Sequence, residues 1–198
     1  NVQYDFDLFG GNRRAIEALA AQADFQRFQL EGTRLTLIAG VIGTAIAQAK
    51  LNNPKDAIAA FERLPREYPR SELLAQAQYQ LAECCYDLKQ YEKAIENYRK
   101  AADRQPPDEL SPYAAFGIGV CLYDQGKWAE AAERFGDVAG KFKKSDLIPQ
   151  ALYRKGVCLV NLKKWAEAEQ EFQAMLAAAP KHELARSAMA MSGTCLQE

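Results

Sequence analysis

The sequence is poor in the residues on which most enzymes depend. Its 198 residues include one histidine, His182, and no glycine-rich loop of the kind that cradles phosphate groups. Catalysis needs a nucleophile with a base, a metal cage or paired carboxylates in a cleft, and the scattered carboxylates here form none of these patterns. The sequence therefore predicts a protein that is not an enzyme, with no catalytic residue, no cofactor, no metal site and no small-molecule substrate.

Neither a charge of one sign nor a long apolar run dominates the chain. The formal net charge is −1 and no basic stripe is interleaved with aromatic residues, so we expect no nucleic-acid partner. There is no run of 18 or more apolar residues, which predicts no membrane-spanning helix. The chain begins at Asn1 rather than at a methionine. We expect a processed or truncated N-terminus, and membrane association only if that missing segment supplies it.

The five cysteines are expected to be separate, buried thiols. Four of them share one position of a repeating pattern, at intervals of 37 residues: Cys84, Cys121, Cys158 and Cys195. Neighbouring helices lie roughly 8–10 Å apart, whereas the Cα atoms of a disulfide lie within about 7 Å. A linear row also cannot converge on one zinc ion. Cys85 is the exception, because it points to another side of its helix and could be a reactive thiol.

A helical-hairpin pattern recurs along the chain with the same 37-residue period, most clearly from Leu81 to Pro106. Its first helical segment repeats a small residue, at Ala82, Gly119, Gly156 and Gly193. Its second segment repeats an alanine followed four residues later by an aromatic residue, as in Ala57/Phe61, Ala94/Tyr98, Ala131/Phe135 and Ala168/Phe172. Two helical patterns per fixed period predict an array of hairpins, in which each unit buries its apolar face against its neighbours.

The pattern of residues 51–198 resembles the tetratricopeptide repeat (TPR) family. Units of that family pair a large apolar residue with a small one in the first helix and an alanine with an aromatic residue in the second. The first feature is matched by Leu81-Ala82, by Ile118-Gly119 and, in reversed order, by Gly156-Val157. The resemblance implies an all-α fold, a right-handed α-solenoid of about four hairpins and a C-terminal helix within residues 33–198.

The N-terminal segment, residues 1–32, is expected to form an extended arm followed by a helix. Residues 1–11 alternate apolar and polar side chains and end in two glycines, and Asn12 is a competent N-cap. Residues 1–50 also resemble part of a TolC-like outer-membrane efflux factor, through Tyr4–Gly10, Arg13-Arg14 and Leu35–Val41. The remaining strand and helices of that family are absent, so the resemblance implies a fused or residual fragment rather than an export channel.

Two outcomes are open at Gly32. A turn there would end one helix and begin a second, residues 33–51, which would serve as the first helix of repeat one because Ile42 and Ala45 fall in register with Tyr79 and Ala82. The preceding residues 13–31 would then pack as an earlier second helix. Alternatively one long helix continues through Gly32, because an interior glycine costs only about 1 kcal/mol relative to alanine. Such a helix would expose apolar surface and promote self-association through residues 12–51.

The resemblance places the first helix of each hairpin on the concave face of the solenoid, where residues three, four and seven apart lie together. Eight side chains are expected there: Tyr79, Glu83, Tyr86, Phe116, Val120, Tyr123, Tyr153 and Val157. Aromatic residues in such columns suit an extended or helical peptide, because tyrosine combines apolar area with a hydroxyl group. The alternative is that half of them only pack between helices. Glu83, Asp87 and Asp124 could also be imagined as an acid cluster, but charged residues on solenoid helices are expected on a solvated face.

Three functions are compatible with these expectations. The first is a non-catalytic scaffold that binds a protein or peptide segment in the concave groove. The second is a structural spacer that forms a homo-oligomer through its N-terminal helix. The third is a remnant or accessory component of an outer-membrane efflux or export system. The efflux-like segment favours a bacterial periplasm or cell envelope, whereas several free thiols favour a reducing cytoplasm.

Overall fold

The computed structural model describes residues 11–50, 53–103 and 107–197, which form nine α-helices and no strand. The helices are α1 (Gly11–Lys50), α2 (Pro54–Glu67), α3 (Leu74–Asp87), α4 (Tyr91–Ala102), α5 (Ser111–Asp124), α6 (Trp128–Lys141), α7 (Ile148–Asn161), α8 (Trp165–Ala178) and α9 (Ala185–Cys195). The predicted all-α fold is confirmed. The predicted extended arm lies outside the described residues, apart from Gly11, which begins α1.

Each helix packs against its neighbours in the chain, which is the arrangement of a solenoid. The C-terminal part of α1 pairs with α2, α3 with α4, α5 with α6 and α7 with α8, and α9 follows as a single helix. Short turns join the two helices of a pair, so the helices run antiparallel. Four hairpins and a C-terminal helix result, in the register that the sequence predicts.

The turn inside three of the hairpins has one residue with an unusual backbone conformation. Lys89, Gly126 and Lys163 follow α3, α5 and α7, and their φ angles are 58°, 74° and 59°. In each case the backbone N–H donates to the carbonyl group three residues earlier, at 2.8–2.9 Å. This left-handed residue ends the first helix and turns the chain into the second, as a C-terminal glycine does in many helices.

The core lies between the first and second helices of the hairpins. The aromatic residues of the second helices, Phe61, Tyr98, Phe135 and Phe172, are at most 2% exposed. A Cβ atom built on Gly119 would lie 2.7 Å from the Phe135 ring, and one on Gly156 would lie 2.6 Å from the Phe172 ring. The small residue of the first helix is therefore required by the ring that packs on it from the second helix.

All five cysteines are buried and free, as predicted for four of them. Cys85, which the sequence singled out as a candidate reactive thiol, is 1% exposed. Burial raises the pKa of Cys85, and it raises the pKa of Cys84 to about 11 and that of Cys121 to about 12. Because the thiolate is the reactive form, these thiols are inert in the folded protein.

α1 is continuous through Gly32, so the long uninterrupted helix is the one of the two open outcomes that is observed. Its C-terminal part serves as the first helix of repeat one, since Ile38, Ile42 and Ala45 are at most 3% exposed. Residues 13–31 do not pack as an earlier second helix, because Ala20 and its neighbours are exposed. Gly32 is tolerated because glycine can adopt ordinary helical backbone angles, at a cost of only about 1 kcal/mol relative to alanine. The division of the chain at residue 32 stays a prediction.

α1 also corrects the expectation that no helix is long and apolar enough to cross a membrane. The segment Arg13–Lys50 meets those criteria of length and composition, with a mean hydropathy of 1.3 in its most apolar window. Between Arg34 and Lys50 no residue is charged, although threonine, glycine and glutamine interrupt the apolar run. Only 17% of that window is buried by the rest of the protein.

Candidate peptide-binding groove

The eight residues predicted to line the concave face are called the predicted groove below. They lie on α3, α5 and α7, the first helices of three successive hairpins, and all eight are half-buried. Half-burial means that each side chain contacts the core and also reaches the surface. The structure brings five of them together around one cavity, and the other three lie further along, on α5 and α7.

The cavity has a volume of about 210 Å³ and lies between α3, α4 and α5. Five members of the predicted groove line it: Tyr79, Glu83, Tyr86, Phe116 and Val120. Three residues outside the predicted groove complete the wall, namely Tyr98, Tyr113 and Gly117. Five aromatic rings and one carboxylate thus surround a space large enough for the end of a long side chain. We call this cavity the aromatic cup.

Three rings of the predicted groove rest on the buried rings of the second helices. The ring centroids are 5.7 Å apart for Tyr79 and Tyr98, 5.1 Å for Phe116 and Phe135, and 5.7 Å for Tyr153 and Phe172. Such tilted and edge-to-face pairs contribute about 0.5–1.5 kcal/mol beyond the burial of area. These three side chains therefore have a packing role in addition to any contact with a ligand.

Tyr98 differs from the phenylalanines at the equivalent positions of other hairpins. A Cβ atom on Gly117 of the next hairpin would lie 2.7 Å from Tyr98 Cζ, so the ring packs against α5 rather than only against its own partner helix. The Tyr98 hydroxyl donates a hydrogen bond to Glu83 Oε1. Burial, followed by that carboxylate, raises the pKa of the Tyr98 hydroxyl. Glu83 is consequently half-buried in the cup and not part of a solvated face.

Two other tyrosine hydroxyl groups near the cup donate to carboxylates of the next repeat. Tyr86 Oη lies 2.7 Å from Asp124 Oδ2, and Tyr113 Oη lies 3.0 Å from both oxygens of Asp146. The hydrogen bond to Asp124, together with burial, raises the pKa of Tyr86. For Tyr79, burial and the Glu83 carboxylate raise the pKa. The tyrosines are therefore neutral donors, and the charges next to them are negative.

The second part of the predicted groove has different chemistry. The Arg154 guanidinium lies over the Tyr123 ring, with its Cζ atom 5.9 Å from the ring centroid. Val157 takes the register position that Glu83 holds in the hairpin of α3 and α4. Next to it, Lys155 Nζ forms an ion pair of 2.6 Å with Glu171 on the second helix. This end of the groove already contains basic side chains.

The sequence offered partial signals for the residues that it missed. Tyr98 is the tyrosine in a column that is otherwise phenylalanine, and a buried hydroxyl group usually has a polar partner. Gly117 carries no side chain where Arg154 occupies the equivalent position one repeat later. Tyr113 lies in the first turn of α5 and gave no signal in the repeat pattern.

A larger hollow of about 1000 Å³ lies at the turns before α5 and α7, and Tyr113 and Asp146 belong to it. Its wall mixes acidic residues with Lys141, Lys143 and Lys144. We favour the aromatic cup as the functional site because its wall is ordered by helices and has a uniform charge. Within the described residues, no group of three or more His, Cys, Asp or Glu side chains is placed to hold a metal ion.

The helical hairpins and their register define a helical-repeat solenoid. Three models of the tetratricopeptide repeat family match the chain, at residues 43–71, 73–139 and 118–183. The chain belongs to the tetratricopeptide repeat family. Proteins of this class are generally non-catalytic scaffolds for protein interaction. The first matched repeat includes the end of α1, in agreement with the burial of Ala45.

Solved structures with the same fold include three helical-repeat proteins. The apo form of RapI is 15% identical, with a TM-score of 0.67, over 80% of this chain and 62% of that protein. A tetratricopeptide repeat protein from Parabacteroides merdae is 16% identical, with a TM-score of 0.68, over 81% and 60%. YrrB, a TPR protein with an unusual peptide-binding site, is 22% identical, with a TM-score of 0.60, over 77% and 74%. The chain thus spans about three fifths of the first two proteins.

The resemblance of residues 1–50 to an efflux factor receives no support from these comparisons. The family models assign residues 43–50 to the first repeat instead. Tyr4–Gly10, which carry part of that resemblance, lie outside the described residues. Comparison with curated protein sequences gives no match.

Proposed function

We propose that this protein is a non-catalytic scaffold that binds a segment of a partner protein along the predicted groove. The observation that carries the proposal is the row of half-buried residues on α3, α5 and α7, which reach the surface at equivalent positions of three hairpins. Peptide-binding grooves combine apolar anchors with a few polar groups. YrrB, which has the same fold, is described as having a peptide-binding site.

The spacing of the helices limits the length of the segment. Adjacent packed helices are about 10 Å apart, so a row across three first helices spans roughly 20 Å. An extended chain advances about 3.3 Å per residue. About six residues of an extended peptide would therefore cover the row from Tyr79 to Tyr153. The cup would hold one side chain of that segment, and Val120 and Val157 would contact others.

Selection of peptides on the full chain tests this proposal. Twelve-residue random peptides would be displayed, selected and measured by calorimetry against the unmodified chain and two variants. Val157→Asp and Val157→Glu each place a negative charge in the row at a position outside the aromatic cup, and we expect either to weaken binding at least tenfold. The control Ala129→Asp adds the same charge to an exposed position of the second helix α6 and should change affinity less than twofold. Selected peptides that bind both groove variants as tightly as the unmodified chain would refute the groove.

Self-association is a second candidate function, which the exposed surface of α1 favours. Five large apolar residues of its N-terminal half are more than 60% exposed: Ile16, Leu19, Phe25, Phe28 and Leu30. Exposed apolar surface of this extent on one helix commonly marks an interface. The repeats would then act as a spacer between copies. A role in envelope assembly or transport remains a prediction from the N-terminal sequence alone.

Light scattering on full-length variants tests the second candidate. Truncation at residue 52 would remove Ile38, Ile42 and Ala45 from the core, so substitution is the cleaner experiment. We expect the unmodified chain to form oligomers at micromolar concentration and the double variant Phe25→Glu/Phe28→Glu to be monomeric. The control Gln22→Glu/Gln29→Glu adds equal charge to exposed positions of the same helix and should leave the oligomer intact. A monomeric unmodified chain would end this candidate.

A further inference from the structure

The aromatic cup has the chemistry of a site for a cation. Its wall contains Tyr79, Tyr86, Tyr98, Tyr113 and Phe116, and the faces of aromatic rings attract cations. Glu83 contributes a carboxylate to the same wall, held by the hydrogen bond from Tyr98. None of the residues that line the cup is basic. Among the described residues, no ion pair joins Glu83 to a lysine or an arginine.

The next repeat has a different arrangement at the positions equivalent to Tyr86 and Gly117. A shift of 37 residues carries Tyr86 to Tyr123 and Gly117 to Arg154. In the hairpin pair that contains Tyr123 and Arg154, the Cζ atom of the Arg154 guanidinium lies 5.9 Å from the Tyr123 ring centroid. The chain itself therefore supplies the cation that contacts this tyrosine. One repeat earlier, beside Tyr86, the position equivalent to Arg154 is Gly117. The cup thus keeps the tyrosine of a cation–π pair without the arginine.

Position 117 cannot accommodate a side chain larger than that of glycine. A Cβ atom on Gly117 would approach three atoms of the Tyr98 ring at 2.7–2.9 Å, closer than such contacts allow. The Tyr98 ring is held there by burial and by its hydrogen bond to Glu83. One repeat later, the position equivalent to Glu83 is Val120, so that repeat has no carboxylate there. The carboxylate therefore occurs beside Tyr86, where the arginine is missing, and not beside Tyr123, where Arg154 is present.

We propose that the aromatic cup receives an arginine side chain of the bound protein segment, with its guanidinium group stacked on the tyrosine rings and paired with Glu83. This inference rests on the proposed groove and names its specificity. Arginine is favoured over lysine because a planar guanidinium stacks on aromatic faces and donates to a carboxylate at the same time. Asp124, which Tyr86 holds at the edge of the cup, adds a second negative charge.

A blocked tripeptide gives a direct test that needs no knowledge of the natural partner. The probe is acetyl-Ala-Arg-Ala-amide, and its control is the same peptide with citrulline, which has nearly the same shape but no charge. Each is titrated into the full chain carrying carbon-13-labelled tyrosine, and ring signals are followed by NMR. We expect saturable shifts of a subset of tyrosine signals with the arginine peptide and at least tenfold weaker binding of the citrulline peptide. Equal binding of the two peptides would overturn the proposal.

Substitutions connect the binding to the cup. Glu83→Gln retains an oxygen that can accept the Tyr98 hydrogen bond and removes the charge, so we expect at least a tenfold loss of affinity. Glu130→Gln makes the same change at an exposed position of α6 and should alter affinity less than twofold. If Glu83→Gln does not fold, Val120→Lys serves instead, because its ammonium group at the wall of the cup should abolish arginine binding. Unchanged affinity in the folded variant would overturn the proposal.

The two proposals can fail separately. Twelve-residue peptides that bind in the groove, but are selected without arginine and bind Glu83→Gln normally, would refute the arginine site and leave the groove intact. Conversely, an arginine tripeptide that binds the cup while no selected peptide responds to Val157→Asp or Val157→Glu would refute the extended groove and leave the cup as a site for a single side chain.

Discussion

At the scale of single residues, the turns between first and second helices carry a strain that the repeat pattern hides. The left-handed position is occupied by lysine in two hairpins and by glycine in one. A left-handed backbone costs a residue with a Cβ atom roughly 1 kcal/mol, whereas glycine adopts it freely. Only Gly126 marks the position in the sequence, so one repeat alone reveals what all three require.

We predict that Lys163→Gly raises the free energy of unfolding by about 0.5–1 kcal/mol, because the φ of 59° suits glycine and the gain exceeds the added flexibility of the unfolded chain. Urea denaturation measures this change. The reverse substitution, Gly126→Ala, imposes the same backbone on a Cβ atom and should lower stability by about 1 kcal/mol. A Lys163→Gly variant that is less stable than the unmodified chain would contradict the explanation.

At the scale of helices, two hairpins are held together by a ring of the second helix that packs on a glycine of the first. Phe135 and Phe172 use the glycines of their own hairpin, Gly119 and Gly156. Tyr98 faces Ala82 at that position and packs against Gly117 of the next hairpin instead. This difference, one methyl group at the small position, accompanies the aromatic cup, which occurs beside Tyr98.

We predict that Gly119→Ala destabilises the protein by about 1–3 kcal/mol, since its Cβ atom would lie 2.7 Å from the Phe135 ring and would displace a fully buried side chain. Thermal or urea unfolding measures the loss. Gly140→Ala is the matched control, because nothing lies within 4 Å of its Cβ position on α6. That variant should be equally stable or more stable by up to about 1 kcal/mol. Equal effects of the two substitutions would argue against ring packing as the cause.

At the scale of the whole molecule, stability is distributed along a row of neighbouring helices. The C-terminal part of α1 covers the first hairpin through Ile38, Ile42 and Ala45, while the N-terminal half of the same helix is exposed. Ionisable thiols and tyrosines occur in the core of successive hairpins. Because folding keeps these groups protonated, the stability of the entire array depends on pH in the alkaline range.

We predict that the free energy of unfolding falls as the pH rises above about 9. Burial raises the pKa of Cys121 to about 12 and that of Cys158 to about 11, and it contributes to the raised pKa of Tyr98. The unfolded chain releases these protons first, so the folded state binds more of them, and each one lowers stability by about 1.4 kcal/mol per pH unit. Well below the pKa of an unfolded thiol, about 8.5, both states are protonated and the effect vanishes.

Urea denaturation between pH 7 and pH 10.5 measures this slope. Cys121→Ala removes one titrating thiol, so its stability should fall less steeply with pH than that of the unmodified chain, whatever its stability at pH 7. Lys143→Ala, a substitution at an exposed residue, should keep the original slope. A Cys121→Ala variant with an unaltered slope would contradict the assignment.

The amino-acid sequence by itself determined the repeat, its register and the place of most core residues. Ala94, Phe135 and Cys121 could be assigned to the core because a fixed 37-residue period puts equivalent residues in equivalent surroundings. Helix ends were also readable at Trp128 and Trp165, which begin second helices. Local propensity and periodicity suffice for these features, since each depends on contacts that every repeat makes in the same way.

Only the tertiary structure decided the features in which one repeat differs from the next. The continuity of α1 through Gly32, the position of the Tyr98 ring over Gly117 and the stacking of Arg154 on Tyr123 are of this kind. Each depends on how side chains from two hairpins divide the space between them, and a periodic pattern averages over such differences. The candidate site is one of these features, because the cavity lies where the Tyr98 ring packs on the next hairpin and position 117 has no side chain.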